Sequence, residues 1–205
     1  MINFIKDRIE KGSGEHDLDK IKTPVGRYDL IDSLTAEYTQ RKVSKMDSDI
    51  ISVTGFSASL GRHLAQRACK VWCLWLELYT KNLCEMNFAQ FFEYGYNNGF
   101  IDINNCSLLK TQEKILELLK NTGLIKSSIM VEVNNLQIFK QYNLSSNWSG
   151  TIRIETEKDK FHSIPSYNLN GSIKISDLSY RGRRVDPWKY VTPENFRYFT
   201  EIREG

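Results

Sequence analysis

The chain has no long apolar run, little net charge, few histidines and no CxxC pair, and each shortage removes a class of function. No segment approaches the roughly 20 consecutive apolar residues of a membrane-spanning helix. The opening MINFIKDRIEKGSGEHD has too short an apolar stretch for a secretory signal, so a cytoplasmic protein that meets no membrane is expected. A net charge of +3, from 28 basic and 25 acidic residues, sets up no broad field for a phosphate backbone, which argues against nucleic acid as a partner. The four cysteines, Cys69, Cys73, Cys84 and Cys106, are read as reduced thiols. With 205 residues and 40% hydrophobic content the chain buries enough core to need no disulfide staples. Cys69-x3-Cys73 with Cys84 has no nearby His and is not metal-ligand spacing, so neither metal nor cofactor is expected. Internal repeats and low-complexity tracts are also absent.

What is present divides the chain in two. Residues 1–58 are mostly polar, with a break at Gly12, Ser13 and Gly14 and a turn at Thr23-Pro24-Val25-Gly26. Leu30, Ile31, Leu34 and Tyr38 fall at near-helical spacing, and the segment reads as a helical or loosely packed N-terminal arm. The main domain is placed over 59–205. Its run VWCLWLELY, Val71 to Tyr79, carries a single charge and is apolar on every side, which predicts a buried central helix. A second helix is predicted from Asn87 to Asn97, stopped by Asn98-Gly99. A third runs from a Thr111 cap to Asn121, with Ile115, Leu116, Leu118 and Leu119 inward and Gly123 ending it. After Gly123 the period changes: Ile129, Val131 and Val133 alternate with Met130 and Glu132, and Ile152 and Ile154 with Arg153 and Glu155. KFHSIPSYNL and SIKISDLSY flank Asn170-Gly171, a strong hairpin signal. Helices followed by antiparallel strands predict an α+β fold.

A cysteine becomes a nucleophile when it is partly exposed, sits in positive potential and has a base within reach. Cys69 opens the buried helix, where unpaired backbone N–H groups lower a thiol pKa from about 8.5 toward roughly 3.5–7.5. Cys73, one turn deeper in the apolar run, reads as a small core residue. The hairpin supplies the rest. With a two-residue Asn170-Gly171 loop, Asp177 faces Ile164 and is the diagonal neighbour of His162. A four-residue loop would set the two face to face, and either register keeps them on one sheet face. Thiolate from a helix start, imidazole from a strand and carboxylate from the next strand form a nucleophile–base–orienter triad.

The segments ACKVWCLWLELY, FFEYGYNNGFIDINNCSLLKTQEKILELLKNTG and FHSIPSYNLNGSIKISD resemble those of an uncharacterised family of spirochaetes and their phages. That family is in turn similar to papain-like peptidases of the bacteriocin-leader-processing type. The resemblance covers roughly residues 60–190. It implies a papain-like fold, a central buried helix packed on an antiparallel sheet. It also implies a Cys at the helix head, matched by Cys69, and a His opening a strand with an Asp fifteen residues later, matched by His162 and Asp177. The peptidases carry a Gln six residues before the nucleophile as an oxyanion-hole donor; here that position is His63, and Gln66 stands three residues before.

Two further features are read more plainly. Tyr180-Arg181-Gly182-Arg183-Arg184 is a short basic loop, read as a solvated turn whose functional alternative is contact with an acidic partner or a substrate carboxylate. Asp186 is second choice for the orienting acid, since Asp-Pro reads as a turn. Two functions fit. One is a cysteine hydrolase, a thiol protease or amidase, that cleaves an amide bond in a peptide or protein substrate. The other is a non-catalytic, phage-associated interaction protein that binds a host protein on the same scaffold.

Overall fold

The structure, a computed structural model, describes Ile31, Gly55 and residues 68–176, 184–185 and 187–205. The boundary of the N-terminal arm, Gln66, and Asp177 with the basic loop up to Arg183 lie outside the described residues, as does Asp186.

From Cys69 onward come three helices, α1 (Cys69–Thr80), α2 (Phe88–Asn97) and α3 (Gln112–Asn121), with the short pair β1 (Ile101–Asp102) and β2 (Ser107–Leu108) between the last two. Then come β3 (Ser128–Val133), α4 (Leu136–Gln141), β4 (Trp148–Glu157), β5 (Lys160–Leu169), β6 (Ser172–Ser176), β7 (Arg184–Val185), α5 (Pro187–Tyr190) and β8 (Phe196–Glu204). Strands β3 to β8 form one six-stranded sheet in the order β3-β8-β4-β5-β6-β7, and every neighbouring pair is antiparallel. The protein is therefore α+β. No helix among the described residues is long and apolar enough to cross a membrane.

The helices start and stop where local chemistry requires. Asn87 caps α2 through a reciprocal capping box with Gln90, and the Thr111 hydroxyl accepts from the Lys114 amide at the head of α3. All three helices end in a Schellman motif. Leu83, Phe100 and Leu124 donate to the carbonyls of Leu78, Gly95 and Leu119, and the preceding left-handed residues are Asn82, Gly99 and Gly123. Every residue of α1 from Val71 to Thr80 is buried, and its Trp72 and Trp75 pack on Phe88 of α2.

The sheet has a hydrophobic core on each side. One unites α1, α2 and α3 with Tyr167 and Ile202 from the sheet, and Ile31 joins it at 3% exposure. The other packs Phe139 of α4 and Trp148 against Ile152, Ile154, Ile164, Ile175 and Phe199. Strand β8 is thus buried through Phe199 to Ile202, which removes the apolar–polar alternation by which a strand is read, so the sequence carries no strand signal there. The six-residue α4 and the two-residue strands β1 and β2 are too short to show a period, and the sequence reading placed no element over them.

The hairpin that matters most takes its two-residue loop. Leu169 pairs with Ser172 and Ser166 with Ile175, while Asn170 and Gly171 both have positive φ, at 52° and 79°. Two successive left-handed residues make the type I′ turn whose twist matches the strands, and Asn-Gly is the dipeptide best able to adopt it.

Candidate active site

Two interactions fix α1 over the sheet, one at each end. At its C-terminal end the buried Glu77 carboxylate accepts the Ile202 backbone N–H at 2.5 Å and the Lys81 ammonium at 3.1 Å. Lys81 also donates to the Ile202 carbonyl and lies 3.8 Å from Glu201, whose other oxygen is held by Tyr142 and Arg203. At the opposite end the first helical residue, Cys69, meets β5: its sulfur is hydrogen-bonded to the His162 side chain and accepts the backbone N–H of Ser163. A cavity of about 370 Å³ beside Thr80, Lys81 and Glu201 belongs to the Glu77 end and does not include the Cys69 pair.

The surroundings of Cys69 oppose one another in sign. Burial pushes the thiol up. The hydrogen bond with His162, the imidazolium charge, the Ser163 amide and the Arg153 charge push it down, in that order, and together they win, bringing it from 9.0 to about 7. The helix end is itself favourable: Ala68 supplies no side-chain cap, and the first turn of α1 contains no acidic residue to offset the positive pole. Cys69 and His162 both keep some solvent exposure.

The other thiols fare differently. Burial pushes Cys73 well above its ordinary value and raises Cys84 to about 11. Cys106 is buried in a left-handed turn. Of Cys69, Cys73 and Cys84, only Cys69 is thus brought near neutrality, and it is the one with an imidazole against it.

The structure brings together two of the four residues singled out by sequence, Cys69 and His162. The other two, Asp177 and Gln66, lie outside the described residues; Asp177 follows directly on Ser176, the last residue of β6. Two contributors were not singled out. The Ser163 amide is a backbone donor, so no side chain advertises it. In the sequence Arg153 is only the polar partner in an alternating strand, which places it away from Ile152 and Ile154 but not near a thiol. Cross-strand pairing makes the connection, because Arg153 lies opposite Ser163 and Ile154 opposite His162.

Among the described residues no group of three or more His, Cys, Asp or Glu is arranged to hold a metal ion. Comparison of the chain with protein-family models, with curated proteins and with solved structures finds no match.

Proposed function

We propose that this protein is a cysteine hydrolase of papain-like build that cleaves an amide bond in a peptide or protein, with Cys69 as nucleophile and His162 as general base and acid. The observation that carries this reading is the contact between Cys69, half-buried at the head of a buried helix, and His162 on the adjoining strand, with the thiol lowered to about 7. A helix laid across an antiparallel sheet with the pair at its N-terminal end agrees with the scaffold implied by the resemblance to leader-processing peptidases.

The chemistry follows from the pair. The Cys69 thiolate attacks the amide carbonyl carbon and forms a C–S bond. The carbonyl oxygen becomes an oxyanion, and backbone N–H groups at the start of α1 are suited to meet it. As the C–N bond breaks, His162 gives its proton to the departing amine and leaves a thioester on Cys69. His162 then takes a proton from water, which attacks the thioester and releases the acid and the thiol. Asp177 is assigned the role of orienting His162, and Gln66 that of an additional oxyanion donor. The family of spirochaetes and their phages remains part of this proposal, as does a cytoplasmic location.

Treatment of the whole protein with a peptidyl acyloxymethyl ketone, which alkylates only an activated thiolate beside a base, tests the reading. Stoichiometric modification of Cys69, abolished in His162→Ala and slowed at least tenfold in Asp177→Asn, is expected. An unmodified Cys69 in the folded protein would leave a scaffold that binds a host protein without catalysis.

A further inference from the structure

The strongest unassigned feature beside the dyad is a cation that no described acid pairs with. Arg153 stands at the middle of β4, opposite Ser163, and its guanidinium donates from Nη1 to the Ser163 hydroxyl at 2.7 Å. Its other face lies 5.3 Å from the ring centroid of Phe161, which is 44% exposed although it neighbours His162 in a strand. Among the described residues Arg153 forms no salt bridge, whereas Arg197 and Arg203 are each paired with a glutamate. An arginine presents five N–H donors in a planar fork matched to a carboxylate, and among the described residues the one bond to the buried Ser163 leaves most of them unused. The serine bond and the aromatic face hold the fork in place, so little side-chain freedom remains to be lost when a ligand arrives.

Its position relative to the nucleophile is set by the same residue. Ser163 receives Arg153 through its hydroxyl and donates its backbone N–H to Cys69 Sγ, so one residue joins the guanidinium to the sulfur. Lys70, next to Cys69 and half-buried, adds a second positive charge, and the proximity of Arg153 is one reason, after burial, that its ammonium is pushed down. The charges of Glu113 and Glu132 act on both Lys70 and Tyr198, so two acids also lie in this neighbourhood.

We infer that Arg153, backed by Ser163 and stacked on Phe161, is the specificity subsite of the proposed hydrolase and takes a substrate carboxylate next to the scissile bond. This rests on the hydrolase reading and names its substrate class: peptides that carry an acidic side chain beside the cleaved amide, or a terminal carboxylate there.

Four probes test it on the full chain. Two peptidyl acyloxymethyl ketones differ only in Asp or Asn before the reactive carbon and report a side-chain carboxylate. An epoxysuccinyl peptide, as the free acid and as its ethyl amide, reports a terminal one. The ratio within each pair cancels any effect of Arg153 on the thiolate itself. In the wild type the acid is expected to react about tenfold faster or more than its amide in at least one pair, the size of one charge-assisted contact. Arg153→Gln should bring that ratio to about one, and Arg153→Lys should retain part of it. Equal rates within both pairs, while iodoacetamide still labels Cys69 selectively, overturn the subsite and leave the dyad intact. Loss of that selectivity overturns the hydrolase reading beneath it. An acid preference that survives Arg153→Gln assigns the carboxylate to another cation and overturns the role of Arg153.

Discussion

Cys69 draws its character from three neighbours of unequal weight, and that ranking can be measured. His162 acts by a hydrogen bond and by charge, the Ser163 amide comes next, and Arg153 contributes least. His162→Ala should therefore raise the Cys69 pKa the most, to above 9.0, because burial continues to disfavour the thiolate once its main partner is gone. Arg153→Gln should raise it by a smaller step. Thiolate absorbance in the ultraviolet, followed against pH with the other three cysteines replaced, gives both values. A larger effect from Arg153 than from His162 would reverse the order of causes. The same shift has a stability consequence. The folded-state pKa lies below the unfolded value, so the contribution of Cys69 to stability is complete above 9.0 and is lost as pH falls through about 7.

Among the elements, strand β4 is the one with least room to vary. Gly150 lies where β4 meets β8, and a Cβ added there would stand 2.3 Å from the Thr200 carbonyl oxygen and 2.6 Å from the Phe199 ring. Backbone cannot yield as a flexible side-chain end does, so Gly150→Ala should cost about 2 kcal/mol, read from urea unfolding at constant slope. An unchanged midpoint would show that the strands part easily. The β5–β6 turn offers a second test. Gly171→Val forces a β-branched residue to φ of 79° and should cost about 1–2 kcal/mol. These two strands also show what a sequence can and cannot disclose. Asn170-Gly171 is a local signal with one preferred geometry, so the hairpin and its register were legible. The run Val71 to Tyr79, apolar but for Glu77, likewise announced a buried helix and placed Cys69 at its head. Phe196 to Glu204 was not legible as a strand because burial on both faces erases the period. The Arg153–Ser163–Cys69 connection was hidden because it exists only once β4 and β5 are paired and α1 is laid beside them.

At the scale of the whole molecule, Glu77 ties α1 to β8 at a cost that depends on pH. Burial raises its carboxyl from 4.5 to about 7, against the opposing pull of Lys81 and the Ile202 amide, and Glu201 adds to the rise. A carboxyl whose folded-state pKa exceeds its unfolded value contributes stability that is full below about 4.5 and lost as pH rises through about 7. Melting temperature should accordingly fall across that window in the wild type, and Glu77→Gln should flatten the fall. Removal of the side chain is another matter. Glu77→Leu removes the acceptor of the buried Ile202 N–H and one of the partners of Lys81, and should cost about 2 kcal/mol. Ile31, the one described residue of the first fifty, is buried in the helical core, so Ile31→Ala should cost about 2–4 kcal/mol. A chain lacking residues 1–28 retains Ile31 and should keep a single cooperative thermal transition.

The fold's two layers serve, on this account, to hold one thiol against one imidazole at a helix head, and a competition among the four cysteines tests that most directly. The native protein is treated with limiting iodoacetamide from pH 5 to pH 10, and alkylation at each cysteine is followed by peptide mass spectrometry. Cys69 should react first, with half-maximal rate near pH 7, while Cys73 and Cys84 stay protected. His162→Ala should remove the advantage at neutral pH. Equal, slow reaction of all four thiols at pH 7, or a Cys69 rate indifferent to His162, would contradict the account.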